Sequence, residues 1–327
     1  MSNDIAFLAE FIDGAPTRGA LELAAGAVAL AGQSGGDAVA LAYGPGAAAG
    51  AAGLGAHGAA RAVVLSDAKA PAIAAAAALV GALRGDAPLA LLAAATPNGR
   101  DLAAAAVGAM NLPAFGPVRS VRVVEGRVQS EQATLQGSVV TTSEPTDAAA
   151  TPAVVLVLPN TFTPAEGGSG TASVSQPQPA DIGRLVEPTI VESHETEAAA
   201  ANLEEATVIV AGGRGVQSEA GFEPLRELAA VMGGAVGASR AAADAGWIPY
   251  QLQIGQTGKV VKPALYIGAG ISGAIQHRVG MQTAEHVVAI NRDPDAPIGE
   301  FADLFVVGDL FAIIPKLTEE IRRRKGA

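Results

Sequence analysis

The chain has 327 residues, enough for two domains with sizeable cores, and 50% of them are hydrophobic against only 16% charged. With 32 acidic and 21 basic residues the net charge is −11, which argues against partners whose phosphates must be neutralised, whether nucleic acid or an anionic membrane surface. The absence of cysteine excludes disulfides, thiolate metal sites and cysteine nucleophiles, and is compatible with a cytoplasmic location.

Elements alternate from the start. Residues 5–11 read as a first strand, with no basic stretch ahead of them to suggest a signal peptide. A helix over 18–31, strands over 38–43 and 62–65, a helix over 71–83 and a strand over 88–93 continue the α/β rhythm. Thr96-Pro-Asn-Gly-Arg-Asp101 opens another helix, with Thr96 as N-cap and Pro97 in the first helical position. The uncharged run 102–118 is broken by Asn111, Pro113, Gly116 and Pro117, so no membrane span is read there. Residues 118–142 turn to β formers punctuated by Gly126 and Gly137, the pattern of hairpin strands added to an otherwise parallel sheet. A strand over 153–158 closes the set, and 161–179, rich in Gly, Ser, Pro and Thr, reads as irregular loop.

Residues 1–190 thus form a first α/β domain, and 191–205 an acidic connection within the Glu-rich stretch 187–205. A second α/β domain fills 206–327. It opens with a strand running from Thr207 into the turn Gly212-Gly-Arg-Gly215, followed by a helix over 221–232 and the segment Gly237-Ala-Ser-Arg240. Within 263–277, a strand over 264–267 meets Gly268, Gly270 and Gly273 at GxGxxG spacing, where backbone N–H groups can approach a pyrophosphate as the next helix begins. A further strand over 286–290 ends at Asn291, near where such folds place a ribose contact. The same glycines also suit an ordinary strand-to-helix turn in a chain with 40 glycines. In open α/β sheets ligands collect at the carboxyl ends of strands, so Arg214, Arg240 and the Gly268 turn are expected to line one crevice. The carboxylates of 187–205 are too scattered for a glycosidase pair, and no Ser/His/Asp arrangement or GxxxxGK[ST] motif is visible, which leaves hydrolases poorly supported.

Five blocks in order, 236–246, 253–259, 265–281, 288–297 and 302–310, give the sequence its resemblance to the alpha subunit of electron transfer flavoprotein. The resemblance covers essentially all of 206–327. Residues 1–190 resemble the family's amino-terminal domain more loosely, through the first strand and Thr96–Asp101. One departure is Ile298-Gly-Glu300, where the family usually carries an aromatic residue after the Ile.

The resemblance implies two α/β domains: a nucleotide-binding-like first domain that contacts a beta subunit, and a Rossmann-like parallel-sheet domain that holds FAD. It implies an electron carrier with no substrate of its own and no metal, fed by flavin dehydrogenases such as the acyl-CoA dehydrogenases of fatty acid β-oxidation and drained by a membrane quinone oxidoreductase. Arg240 would face the flavin and favour negative charge on the reduced ring. Thr257 would offer its hydroxyl to flavin N5, with Gln256 and Ile254 along the ring and ribityl chain. His277, as a neutral donor or an imidazolium, would stand at the pyrimidine edge. Gly270, Ile271, Ser272 and Gln276 would serve the pyrophosphate and ribityl hydroxyls, Arg214 the phosphates, Ser239 the FAD beside Arg240, and Asn291, Asp309 and Leu310 the adenosine end. Trp247 acquires no role. Electron bifurcation, with a second FAD on the beta subunit, is a variant of this function that the chain itself does not decide. Without the resemblance, an NAD-dependent dehydrogenase and a nucleotide-sensing module both stay open, and the absorbance of the purified protein separates them from a flavoprotein. The apolar stripe Ile314, Leu317 and Ile321 of a helix over 313–325 reads as core or partner contact.

Overall fold

The computed structural model describes residues 2–135, 139–146, 152–183, 190–192 and 203–326. Internal packing divides the chain into two units, 1–193 and 194–327. Of the stretch read as a connection, 187–189 and 193–202 lie outside the described residues, while Leu203 is buried and the Glu204 carboxylate lies 3.8 Å from the Lys259 ammonium.

In the first unit β1 (Ile5–Ile12) is followed by β2 (Ala15–Pro16), which folds back on its end. Helix α1 (Arg18–Ser34) starts at Thr17, whose hydroxyl accepts from the Ala20 amide, and stops at left-handed Gly35. Then come β3 (Ala38–Tyr43), α2 (Ala47–Gly50), β4 (Arg61–Ser66), α3 (Ala76–Gly85), β5 (Ala90–Ala94) and α4 (Pro97–Met110). The Thr96 cap of α4 accepts from the Gly99 amide. Strands β6 (Ala114–Val118), β7 (Ser120–Val124), β8 (Arg127–Thr134), β9 (Val139–Ser143), β10 (Ala153–Val157) and β11 (Ser173–Ser175) complete the unit. The main sheet runs β11-β4-β3-β1-β5-β10-β6, each neighbouring pair parallel. Its centre is covered on both faces, which is why β1 reads as an almost unbroken apolar run. Ile5, Phe7, Ala9 and Phe11 join α1 in one core; Ala6 and Leu8 join α3 and α4 in the other.

The hairpin strands expected over 118–142 are present, but β7, β8 and β9 form an antiparallel sheet of their own instead of extending the parallel one. Val121 and Val128 anchor that sheet in the α1-side core, and the Gln33 side-chain oxygen accepts from the Val123 amide at 2.7 Å. Register on a separate sheet depends on these long-range contacts, which hydrophobic alternation does not encode. The expected loop over 161–179 is irregular except for β11, which pairs with β4 at the sheet edge.

The second unit contains β12 (Val208–Gly212), α5 (Glu223–Met232), β13 (Ala235–Ala238), α6 (Arg240–Asp244), β14 (Leu265–Ala269), α7 (Ile275–Met281), β15 (His286–Asn291), β16 (Leu304–Val307) and α8 (Leu310–Lys325). Its five strands form a parallel sheet in the order β13-β12-β14-β15-β16. Val210, Ile267, Ala269 and Ile290 face a core closed by α5 and α8, whereas Ile209, Ala211, Tyr266 and Ala289 face another closed by Val261 and Met281. The α8 stripe belongs to the first of these cores: Ile314 is buried, and Leu317 and Ile321 pack against the same cluster, as does Trp247. Both units are α/β with parallel sheets. Among the described residues no helix is long and apolar enough to cross a membrane.

Candidate cofactor site

Strand β12 lies between β13 on one side and β14 on the other, so the order of connection reverses there, and a crevice forms at the carboxyl ends of β12 and β14. The turns leaving these two strands touch through bare backbone. The Gly213 amide donates to the Ala269 carbonyl at 2.9 Å and the Gly215 amide to the Gly270 carbonyl at 3.0 Å. A Cβ on Gly270 would lie 2.6 Å from the Gly215 Cα, and Gly270 itself has φ +62°. The glycines are thus required first by the approach of the two turns to each other, a demand the GxGxxG pattern alone does not reveal.

The helix does not begin where that pattern predicts. Residues 271–274 run without regular structure, and α7 starts only at Ile275, with no side-chain cap from Ala274. The Ser272 carbonyl accepts from the Ile298 amide at 2.9 Å, and Gly273, at φ +84°, packs against the Ile298 backbone. Those contacts hold the chain away from helical geometry for one more turn. At the departure from the family pattern, Gly299 faces the Phe305 ring, whose Cδ1 lies 2.7 Å from where a Cβ would sit; Phe305 occupies the space a side chain at 299 would take.

All five strands end on one edge of the sheet. Arg214 follows β12, Ser239 and Arg240 follow β13, Ile271 and Ser272 follow β14, Asn291 ends β15, and Asp309 follows β16. Arg214, Arg240, Ser272 and Gln276 are exposed, as donors to a ligand must be, whereas Ile254, Ile271 and Leu310 are buried and support the turns from beneath. Arg240 pairs with Asp244 one helical turn on, Nε to Oδ2 3.4 Å, an exposed contact that restrains the guanidinium little. Ser239 sits at the N-cap of α6, but its side chain makes no capping bond.

Gln256 and Thr257 occupy the tip of the turn Gly255–Gly258, closed by the Gly258 amide donating to the Gly255 carbonyl at 3.0 Å. One side is tied to β13, because the Ile254 amide donates to the Ala238 carbonyl at 2.9 Å. The other is tied to α7, because the Gln256 amide donates to the Gln276 carbonyl at 2.8 Å. The turn therefore joins the Arg240 and His277 parts of the edge. Beneath it Gln253, only 4% exposed, donates from Nε2 to the Thr257 hydroxyl oxygen at 3.0 Å.

His277 is buried on α7, its Nε2 2.6 Å from the Tyr266 hydroxyl of β14. Burial holds the Tyr266 phenol far above its ordinary value, so it keeps its proton. Donation of that proton to Nε2 leaves the ring proton on Nδ1, for which the Ile254 backbone is only a weak acceptor. Burial pushes the His277 pKa down from 6.5 to about 4, with the Ile254 backbone opposing. Of the two forms the sequence left open, the neutral imidazole is the one these protein surroundings favour.

At the far end of the edge, Asn291 Nδ2 donates to the Ile271 carbonyl at 2.9 Å and its Oδ1 accepts from the Asp293 amide at 3.1 Å, so this side chain links β14 to β15. Asp309 caps α8 by accepting from the Phe311 amide, and its other oxygen pairs with Arg292 at 2.6 Å. The Arg292 guanidinium, then the Phe311 amide, hold this carboxyl below the usual carboxylate range. Gln253, Tyr266 and Arg292 were not singled out in the sequence. Each acts through a partner far along the chain or one turn away, and the local signals were only adjacency: Arg292 next to the flagged Asn291 and Gln253 next to the flagged Ile254.

The edge fits a dinucleotide in its donor set: exposed guanidinium, hydroxyl and amide groups for a pyrophosphate and polyol, glycine turns with no Cβ to obstruct them, and a buried imidazole N–H held only weakly by the Ile254 backbone. A 370 Å³ cavity in the first unit, with Arg61 paired to Asp4 and Asp86 in its lining, contains none of these residues. The family model described as "Electron transfer flavoprotein domain" matches residues 6–182, and that described as "Electron transfer flavoprotein FAD-binding domain" matches 202–282. The electron transfer flavoprotein subunit alpha of Syntrophomonas wolfei is 39% identical over 238 residues, covering 72% of this chain and 73% of that protein. Its counterpart in Bacillus subtilis is 62% identical over 122 residues, 37% of this chain and 38% of that one, and that of Mycobacterium leprae 52% identical over 166 residues, half of each. This chain thus spans about half the length, or less, of the latter two relatives. The unit carrying the edge is the family's FAD-binding domain, and the chain belongs to the electron transfer flavoprotein alpha-subunit family.

Proposed function

We propose that this chain is the FAD-holding half of a heterodimeric electron carrier, completed by a beta subunit that docks on the first unit. It takes electrons from flavin dehydrogenases, acyl-CoA dehydrogenases among them, and delivers them to a quinone oxidoreductase of the respiratory chain. The observation that carries this reading is the gathering of Arg214, Arg240, Thr257 and His277 onto one edge of the unit that matches the FAD-binding domain.

When bound, FAD supplies one-electron oxidation and reduction. The chain's residues set where it sits and how much charge it accepts. Arg214 and the main chain of the Gly213–Gly215 and Gly270–Ser272 turns hold the pyrophosphate, with Ser272 and Gln276 on the polyol. Arg240 and Ser239 flank the ring, and the fixed guanidinium favours negative charge arriving there. Thr257 presents its hydroxyl at the ring nitrogen, and His277 stands at the pyrimidine edge as a neutral imidazole. Asn291, Asp309 and the Leu310 main chain meet the adenosine end, where Arg292 keeps Asp309 ionised.

The test is co-expression with a beta subunit. A yellow heterodimer is expected, reduced by an acyl-CoA dehydrogenase acting on its substrate. A colourless complex, or one that binds NAD in place of FAD, would overturn the reading. Counting flavins per heterodimer distinguishes a simple shuttle, with one, from a bifurcating assembly with a second FAD on the beta subunit.

A further inference from the structure

Thr257 lies at the exposed tip of its turn, and a threonine hydroxyl can direct its proton along any of three staggered positions. What restricts it here is Gln253. That side chain is buried, and its Nε2 donates to the Thr257 oxygen at 3.0 Å. An oxygen that accepts a bond from inside the protein cannot also send its proton there, so the proton is left for the open side of the turn.

Gln253 is itself held on three sides. Its amide donates to the Tyr250 carbonyl at 3.0 Å, its carbonyl accepts from the Lys259 amide at 2.8 Å, and it bridges to Ala238 at the end of β13. Gly258 closes over it: a Cβ there would come within 2.4 Å of the Gln253 carbonyl oxygen and 3.0 Å of its Cγ. The last glycine of Gly255-Gln-Thr-Gly258 is therefore explained by the burial of Gln253 as much as by the turn.

We infer that Gln253 is a positioning residue that fixes the Thr257 hydroxyl as a hydrogen-bond donor toward an acceptor nitrogen of the bound cofactor's ring. The inference rests on the proposed placement of the ring beside Thr257. In oxidised flavin that nitrogen bears a lone pair and no proton, so a preset donor suits it, whereas a freely rotating hydroxyl would meet it only part of the time. A preset donor also spares the ordering that a mobile one must undergo on binding.

The experiment is a double-mutant cycle on the FAD-loaded heterodimer, with the flavin midpoint potential, the flavin absorption envelope and the FAD dissociation constant as readouts. Thr257→Ala is expected to shift the potential and to weaken FAD binding by roughly threefold to tenfold, the span of one neutral hydrogen bond. Gln253→Met, which keeps the length but removes the donor, should move all three in the same direction by a smaller amount, and should add nothing once Thr257 is Ala. Gln253→Glu should do more than Gln253→Met, because a carboxylate accepts the Thr257 proton and turns it inward. If Thr257→Ala shifts the potential and the absorption envelope while Gln253→Met and Gln253→Glu leave both unchanged, the positioning role is wrong and the FAD placement stands. If Gln253→Met shifts them equally with and without Thr257, Gln253 does not act through Thr257 and the inference falls. If Thr257→Ala alters nothing, the ring does not lie beside Thr257, and the placement falls together with the inference. Should Gln253→Met fail to assemble, Gln253→Glu carries the same comparison.

Discussion

Arg240 and His277, two basic side chains of one edge, lie in opposite surroundings, the first exposed and the second buried. Arg240 is exposed, on a short helix beginning right after β13. In Arg240→Ala the fold should be unchanged and the flavin potential should fall, since the one alteration is loss of a fixed charge. A tenfold change in relative stabilisation corresponds to about 60 mV in a one-electron couple. An unchanged potential in a redox titration of that variant removes Arg240 from the ring. His277 is buried, and its pKa lies at about 4. Between pH 6.5 and 4 the unfolded chain binds a proton at this position that the folded chain refuses, so stability conferred by a neutral His277 is complete above 6.5 and declines as pH falls through this window. The full difference amounts to about 3 kcal/mol. Denaturation midpoints of wild type and His277→Gln, compared from pH 7.5 to 4, should converge or cross as pH falls, because the variant lacks this contribution; parallel pH profiles would place His277 in water.

At the scale of elements, the contact between the β12 and β14 turns decides whether an edge exists. Gly270→Val forces a Cβ against the Gly215 Cα and puts a β-branched residue at φ +62°. The variant should lose bound FAD and also unfold at lower denaturant than wild type, because the clash lies between two turns of the protein itself. Normal flavin content in Gly270→Val would overturn this account; lost flavin with unchanged stability would point to a clash with the cofactor alone. The delayed start of α7 belongs to the same scale. A strand, three glycines and a helix former are visible in 263–277, but the contact of residues 272 and 273 with Ile298 lies some 25 residues away in sequence and sets where the helix can begin.

For the whole molecule, the prediction concerns association. The surface is poor in charge, and Ile12, Val124, Val139, Val140 and Val174 of the first unit are exposed. Expressed alone, the chain should be flavin-poor or aggregation-prone, and co-expression with the proposed beta subunit should restore a yellow heterodimer. A stable, fully flavinated monomer at sedimentation equilibrium would refute the need for a partner.

The α/β class, the central strands and most of the turns follow from local periodicity, caps and glycine positions, all of which are written along the chain. β1, Thr96 and the glycine turn at 268–273 were legible for that reason, and the ordered blocks of 206–327 made the FAD-binding family legible too. Tertiary structure alone decided that β7 to β9 form a separate sheet, that Gly213, Gly215 and Gly270 are required by one another, that Tyr266 pairs with His277, and that Gln253 sits beneath Thr257. Each of these depends on which distant segment arrives as a neighbour and on what burial then does to a polar atom. A single residue's type carries no record of either, which is why the hydrogen bonds of these side chains and the burial of His277 could not be read from sequence.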